Sequence, residues 1–290
     1  ADSNTAIGLC AMQANTSGGV NVAVGYEALE QNTTAGENTG VGYRALKGNT
    51  TGCQNASFGT CSVYTNSTGD ANTGVGYKAL FANTTADGNT ALGFCSLTTN
   101  TTGTENTAVG KDSLKLSTTA IQNTAVGTSS LRDNTTGTEN TAVGFNSLVQ
   151  STTGSCNTSI GKESLFSNTT ASNNTAVGFE ALKDNTTGTV NTAMGRQALQ
   201  NNTTADGNTA YGHNSLNTVT TGGCNTAVGG SALFNNTGTG NVAVGHSTLQ
   251  ANTSASDNVG IGRNALYTNT EGHSNVGIGR NALYDNTTGD

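Results

Sequence analysis

The chain of 290 residues carries 11 Lys and Arg against 18 Asp and Glu, a formal charge of −7, and it holds 40 Gly, six Cys and no Pro or Trp. That acidic balance excludes the basic stripe that grips nucleic acid, and no apolar run approaches the roughly 18 residues a membrane-spanning helix needs. Large apolar residues are scarce enough to suit disorder, but disordered tracts have no need of the positional regularity seen along this chain.

From Gly8 one glycine recurs at Gly25, Gly42, Gly59 and onward to Gly279, every 17 residues except for the 16 between Gly229 and Gly245. So short a period marks a solenoid, because one unit cannot bury its apolar face alone and must stack on its neighbours. The expectation is a single all-β repeat domain over residues 1–290. It is a parallel β-solenoid or β-roll of 17 coils of 17 residues each, without separate caps.

Each coil can be taken from its glycine. The residue before it is apolar throughout, from Ile7, Val24 and Val41 to Ile278, and the residue four after it is Leu except at Met12 and Val63. These two columns are expected to form the core. Two neighbouring columns are small, one before the apolar residue (Ala, Gly or Ser) and one before the Leu (Ala, Ser or Thr248). They suit either a tight wall within the coil or contact with another chain. The Asn four before the glycine recurs in every coil from Asn4 to Asn275. It reads as a turn former that tolerates left-handed backbone and stacks its amide into a ladder. The glycine supplies a backbone angle or a close approach that a side chain would block.

The alternation at residues 39–43 predicts a strand of about 4–5 residues, with a second short strand through Ala45 and Leu46 and a turn at Asn-Thr-Thr-Gly. Gly, Thr and Asn at this density disfavour helix. Two large apolar residues per coil do not offset chain entropy by themselves, so backbone ladders, Asn and Thr stacks and association with other chains must contribute.

Charged residues such as Glu27, Lys47, Asp87, Glu105, Lys111 and Asp133 fall on a few columns and vary in sign from coil to coil, as on a solvated surface. Aromatics share two of those columns, one with Tyr26, Tyr43, Tyr77 and Phe94 and one with Phe81, Phe166, Tyr267 and Tyr284. They suit groove packing or lateral contact. The cysteines lack metal-site spacing, and the one intrachain disulfide proposed from the spacing joins Cys53 and Cys61, about half a coil apart.

Acceptor triplets for N-glycosylation occur at Asn15, Asn32, Asn49, Asn55, Asn66, Asn83, Asn100, Asn134, Asn157, Asn168, Asn173, Asn185, Asn201, Asn202, Asn235, Asn252 and Asn286. Most share one column, seven after the glycine. Glycans every ~4.8 Å would crowd, and the alternative is a turn with an Asn-Thr ladder. His213 and His246 share a column two coils apart, too far to share a metal. No nucleophile triad, phosphate loop or clustered carboxylates appear, so no enzyme, cofactor or metal site is expected.

The motif Asn-Thr-Ala-Val-Gly followed by a small residue and Leu resembles the head repeats of YadA-like trimeric autotransporter adhesins, and similar arrays occur in phage tail-fibre-like proteins. The resemblance implies a left-handed β-roll, an extracellular or cell-surface setting and a trimeric cross-section. The coil here is longer than that family's, and Thr39, Thr73 and Thr107 stand where its strand has Val. The expected function is a non-enzymatic extracellular structural protein that stacks head to tail on itself into a filament, with covalent glycans as further partners. The alternatives are an adhesin or tail-fibre shaft binding a receptor or glycan and, less favoured, an ice-binding solenoid on the Thr columns at Thr33, Thr50, Thr84 and Thr101.

Overall fold

The computed structural model describes residues 2–290 and falls into two compact units, residues 1–140 and 141–290. Each unit is a parallel β-solenoid with one three-residue strand per coil and, among the described residues, no helix. The first unit runs from β1 (Thr5–Ile7) and β2 (Val22–Val24) to β8 (Thr124–Val126). Thr5 pairs with Val22, Ala6 with Ala23 and Ile7 with Val24, so like stands beside like at an offset of one repeat.

The second unit runs from β9 (Thr141–Val143) through β14 (Thr226–Val228), β15 (Val242–Val244) and β16 (Val259–Ile261) to β17 (Val276–Ile278). The short coil keeps this register, with Thr226 beside Val242. Its missing residue comes out of a turn, because four residues rather than five separate Asn236 from Asn241. The expected all-β solenoid is therefore the fold. Its strand is shorter than expected, and Ala45 and Leu46 lie in a turn rather than in a second strand.

The core differs from the expectation in one column. The middle strand residue points inward: Ala23, Ala91, Ala108, Ala176 and Ala193 are fully buried. The residue beside the glycine points outward, with Ile7, Phe58, Leu92 and Ile160 between 40 % and 60 % exposed. Side chains on a strand alternate faces, so only one of these two columns can be inside. The Leu four after the glycine already fills the narrow coil, with Leu29, Leu46, Leu114 and Leu199 at 0 % exposure, and only a small residue fits opposite it. The small columns are thus the inner wall. At several coils where the second one is Ser, its hydroxyl donates to the glycine carbonyl of its own coil, as Ser96 does to Gly93 at 3.1 Å and Ser113 to Gly110 at 3.0 Å, whereas Ser147 donates to the Ser159 carbonyl at 2.9 Å.

Tight corners set the backbone. Leu29 and Leu46 each have φ of 51°, a left-handed conformation that L residues avoid by roughly 1–2 kcal/mol. Burial of the Leu side chain, about 1.5–3 kcal/mol, offsets that strain. The recurring Asn is not itself left-handed; the residue before it is, as at Glu37 with φ of 61°. Gly25 has φ of 137°, and a Cβ there would strike the carbonyl oxygen of Gly42 in the next coil. Angle and close approach thus both require glycine at this corner.

Candidate functional site

Two asparagine ladders run through the interior of each unit. In the column four before the glycine, Asn55 Nδ2 donates to Asn38 Oδ1 at 3.2 Å and to the Gly69 carbonyl at 2.8 Å, and the Asn55 backbone N–H donates to Asn38 Oδ1 at 2.9 Å. In the column seven after it, Asn66 Nδ2 donates to Asn49 Oδ1 at 2.8 Å and to the Gly69 carbonyl at 2.9 Å. Both amide hydrogens are used inside the coil. The second unit repeats the pattern, as Asn185 Nδ2 donates to Asn168 Oδ1 at 3.0 Å and to Gly188 at 2.9 Å.

This arrangement sorts the acceptor triplets. Asn32, Asn49, Asn55, Asn66, Asn83, Asn100, Asn134, Asn157, Asn168, Asn185, Asn202 and Asn252 are at most 1 % exposed, so a glycan on any of them would have to occupy the coil interior. Asn15, Asn201 and Asn286 are half-buried, and Asn173 and Asn235 are exposed. The threonines that follow the ladder are also engaged. Thr33, Thr50, Thr84 and Thr101 each donate from Oγ1 to a carbonyl of the next coil at 2.8–3.1 Å.

The proposed disulfide is not formed. Cys53 and Cys61 are both free thiols, and Cys53 Sγ lies 3.5 Å from the Thr51 carbonyl within its own turn. The intervening strand, Ala56–Phe58, carries the chain from one corner of the coil to the next, and the two cysteines sit at different corners. Among the described residues, no three His, Cys, Asp or Glu side chains come together as a metal site, and no helix is long and apolar enough to cross a membrane.

Charge is more organised than sign variation along columns implies. Glu27, 8 % exposed, accepts from Arg44 Nε at 2.7 Å and from Lys47 Nζ at 2.6 Å, and Lys47 also reaches Glu30 at 3.1 Å. The Lys47 ammonium, then the Tyr26 hydroxyl and the Arg44 guanidinium, hold the Glu27 carboxyl down to about 2. In the second unit Lys183 bridges Glu163 at 2.9 Å and Glu180 at 3.0 Å, and both carboxylates are pushed below their ordinary value. For Glu163 the main cause is Lys183, and for Glu180 it is the Gln197 amide followed by Lys183. Opposite signs at Glu27 and Arg44, 17 residues apart, were the available sequence signal.

Aromatic rings stack from coil to coil at the surface. Tyr26 lies on Tyr43 with centroids 5.3 Å apart, Tyr64 on Phe81 at 5.1 Å, and Tyr267 on Tyr284 at 5.1 Å, with planes within 9° of parallel. Beside them runs the outward apolar column, so strands such as Thr107–Val109 and Thr158–Ile160 turn a Thr and an apolar residue outward. No family model matches the chain, and no curated protein is significantly similar to it.

Proposed function

We propose that this chain is a non-enzymatic structural solenoid that works outside the cell and stacks end to end with copies of itself into a filament. The observation that carries this reading is the self-complementarity of the coil. Each coil donates from the residue after its recurring Asn to the next coil, as Thr39 does to the Asn55 carbonyl at 2.8 Å. It donates from its glycine to the previous one, as Gly42 does to the Val24 carbonyl at 2.8 Å. β1 is paired along one edge, with β2, and β17 along one edge, with β16. Backbone groups spaced alike on every coil let a coil of one copy pair with a coil of another, and a head-to-tail contact propagates as an open filament.

The last repeat glycine gives the test. A Cβ at Gly279 meets nothing within 4 Å, whereas at Gly25 it strikes the next coil. Gly279→Ala would therefore place a methyl group where a following copy's coil must dock. Electron microscopy of the purified chain should show thin fibres that lengthen with concentration, and Gly279→Ala should leave short particles. Discrete wild-type particles of one length at every concentration would rule the filament out.

A second reading, the shaft of an adhesin or tail fibre built from copies side by side, is favoured by the outward apolar column. Val228, Val244, Ile160 and Ile261 are 37–40 % exposed, a continuous apolar surface that monomers seldom leave in water. Sedimentation equilibrium distinguishes a trimer from a 29.0 kDa monomer, a trimeric cross-section being the form this reading requires.

A further inference from the structure

We propose that the first unit carries a saccharide-binding cleft built on the open face of the Tyr64 ring. The stacked pair Tyr64 and Phe81, with planes 4° apart, covers one face of Tyr64 on the side of the following coil. Its other face looks toward the preceding coil, where the corresponding residue is Lys47. That lysine does not cover the ring, because its ammonium is held by Glu27 at 2.6 Å and Glu30 at 3.1 Å. Elsewhere a cation does sit over a ring, as Lys78 does over Phe81 at 5.3 Å, but among the described residues none sits over Tyr64. The next residue, Gly48, contributes no side chain. The result is a cleft of about 320 Å³ lined by Gln31, Lys47, Gly48, Thr50, Tyr64 and Thr65, with Ser67 beyond them.

The lining selects a ligand class. An aromatic face bordered by a carboxamide and hydroxyls matches a pyranose ring, which has an apolar C–H face and a polar edge. Thr50 Oγ1 donates to the Ser67 carbonyl at 2.8 Å and Thr65 Oγ1 to the Phe81 carbonyl at 3.0 Å, so both remain acceptors for sugar hydroxyls. Gln31 is exposed and able both to donate and to accept. An anion is disfavoured, because two carboxylates already neutralise the only cation in the lining. The ligand is a neutral hexopyranose unit, and the cleft holds whether or not copies stack into filaments.

The ladder of Tyr26 and Tyr43 does not offer this platform. Tyr26 and Tyr43 stack on each other, and Arg44 lies over the Tyr43 ring at 4.9 Å. Gly48, together with a lysine drawn aside, sets the Tyr64 coil apart.

The test uses the whole chain with methyl β-D-glucopyranoside, methyl β-D-galactopyranoside and methyl α-D-mannopyranoside as probes. Tyrosine ring proton shifts are followed by NMR. A ligand of this size supports a Kd on the order of 1 mM. At least one probe should give a saturable shift confined to Tyr64 and its neighbours. Gly48→Gln, which puts into the cleft a residue that Gln31 and Gln150 supply at the same place in other coils, should weaken binding at least about tenfold in the folded chain, with a lower melting temperature because its Cβ would come within 2.9 Å of the Tyr64 carbonyl oxygen. Tyr64→Val, matching Val149 in that column, should abolish it. No saturable shift with any of the three sugars, or equal binding by both folded variants, would overturn the proposal.

Discussion

Asn100 Oδ1 is buried and unpartnered, and the residue that would reach it from the next coil is Ser117, whose own buried Oγ is also unpartnered. Where neighbouring coils both carry asparagine in that column, an amide spans the gap, as Asn66 Nδ2 does to Asn49 Oδ1 at 2.8 Å. The ladder therefore has a missing rung, and the two orphaned oxygens are its direct consequence.

Ser117→Asn should restore the rung. Its Nδ2 would reach Asn100 Oδ1, and its Oδ1 would face the amide of Asn134, which now donates to the Gly137 carbonyl at 2.9 Å. Removing two unsatisfied buried groups is expected to stabilise the chain by about 1–3 kcal/mol. Asn66→Ala should do the opposite by about 2–4 kcal/mol, because it strips a donor from Gly69 and Asn49 and an acceptor from Asn83. Chemical denaturation of both variants reads the two signs, and a destabilised Ser117→Asn would refute the ladder account.

Two glycines separate backbone angle from steric contact. Gly25 and Gly279 have φ of 137° and 122°, but only at Gly25 would a Cβ strike another coil. Gly25→Ala should cost more than about 3 kcal/mol, whereas Gly279→Ala should cost only the dihedral part, about 1–2 kcal/mol. Equal thermal destabilisation of the two would mean that angle alone fixes the glycine.

Much of this was legible from repetition. A residue type that recurs every 17 positions meets the same surroundings each time, so the solenoid, the Leu core and the asparagine ladder follow from the column alone. The apolar column at Val24, Val75 and Ile160 reads as core from the sequence, yet alternation tells only that it faces away from Ala23, Gly74 and Ser159. Which side is inside depends on coil width, and Leu already fills it. The Glu27, Arg44 and Lys47 cluster is hard to see in the sequence because its contacts span 17 and 20 residues, across coils rather than along the chain. Cys53 and Cys61 were paired on sequence distance, which says nothing about which corner each occupies.

Glycan occupancy should follow exposure rather than sequence. If the chain passes a transferase that recognises Asn-x-Thr, then Asn173 and Asn235 should be modified, while Asn66, Asn83 and Asn185, all fully buried, should not. Peptide mass spectrometry after glycosidase treatment in heavy-oxygen water reports each site separately. A glycan at Asn66 in folded protein would contradict the buried ladder.

Acid should weaken the first unit through Glu27. Its carboxyl is held at about 2 in the folded chain, mainly by Lys47, against an ordinary value near 4.5. A folded value below the unfolded one means that the unfolded chain binds the proton first as pH falls. The stabilisation is therefore fully present above about pH 4.5 and is lost progressively as pH drops toward 2. Glu163 and Glu180, lowered in the same direction, add a similar dependence in the second unit. Glu27→Gln keeps the shape but cannot titrate, so it should lower the melting temperature at pH 7, with the gap to wild type closing as pH approaches 2. Melting curves for both proteins between pH 2 and 7 measure that convergence. A gap that stays constant across the range would show that Glu27 contributes by packing rather than by its charge.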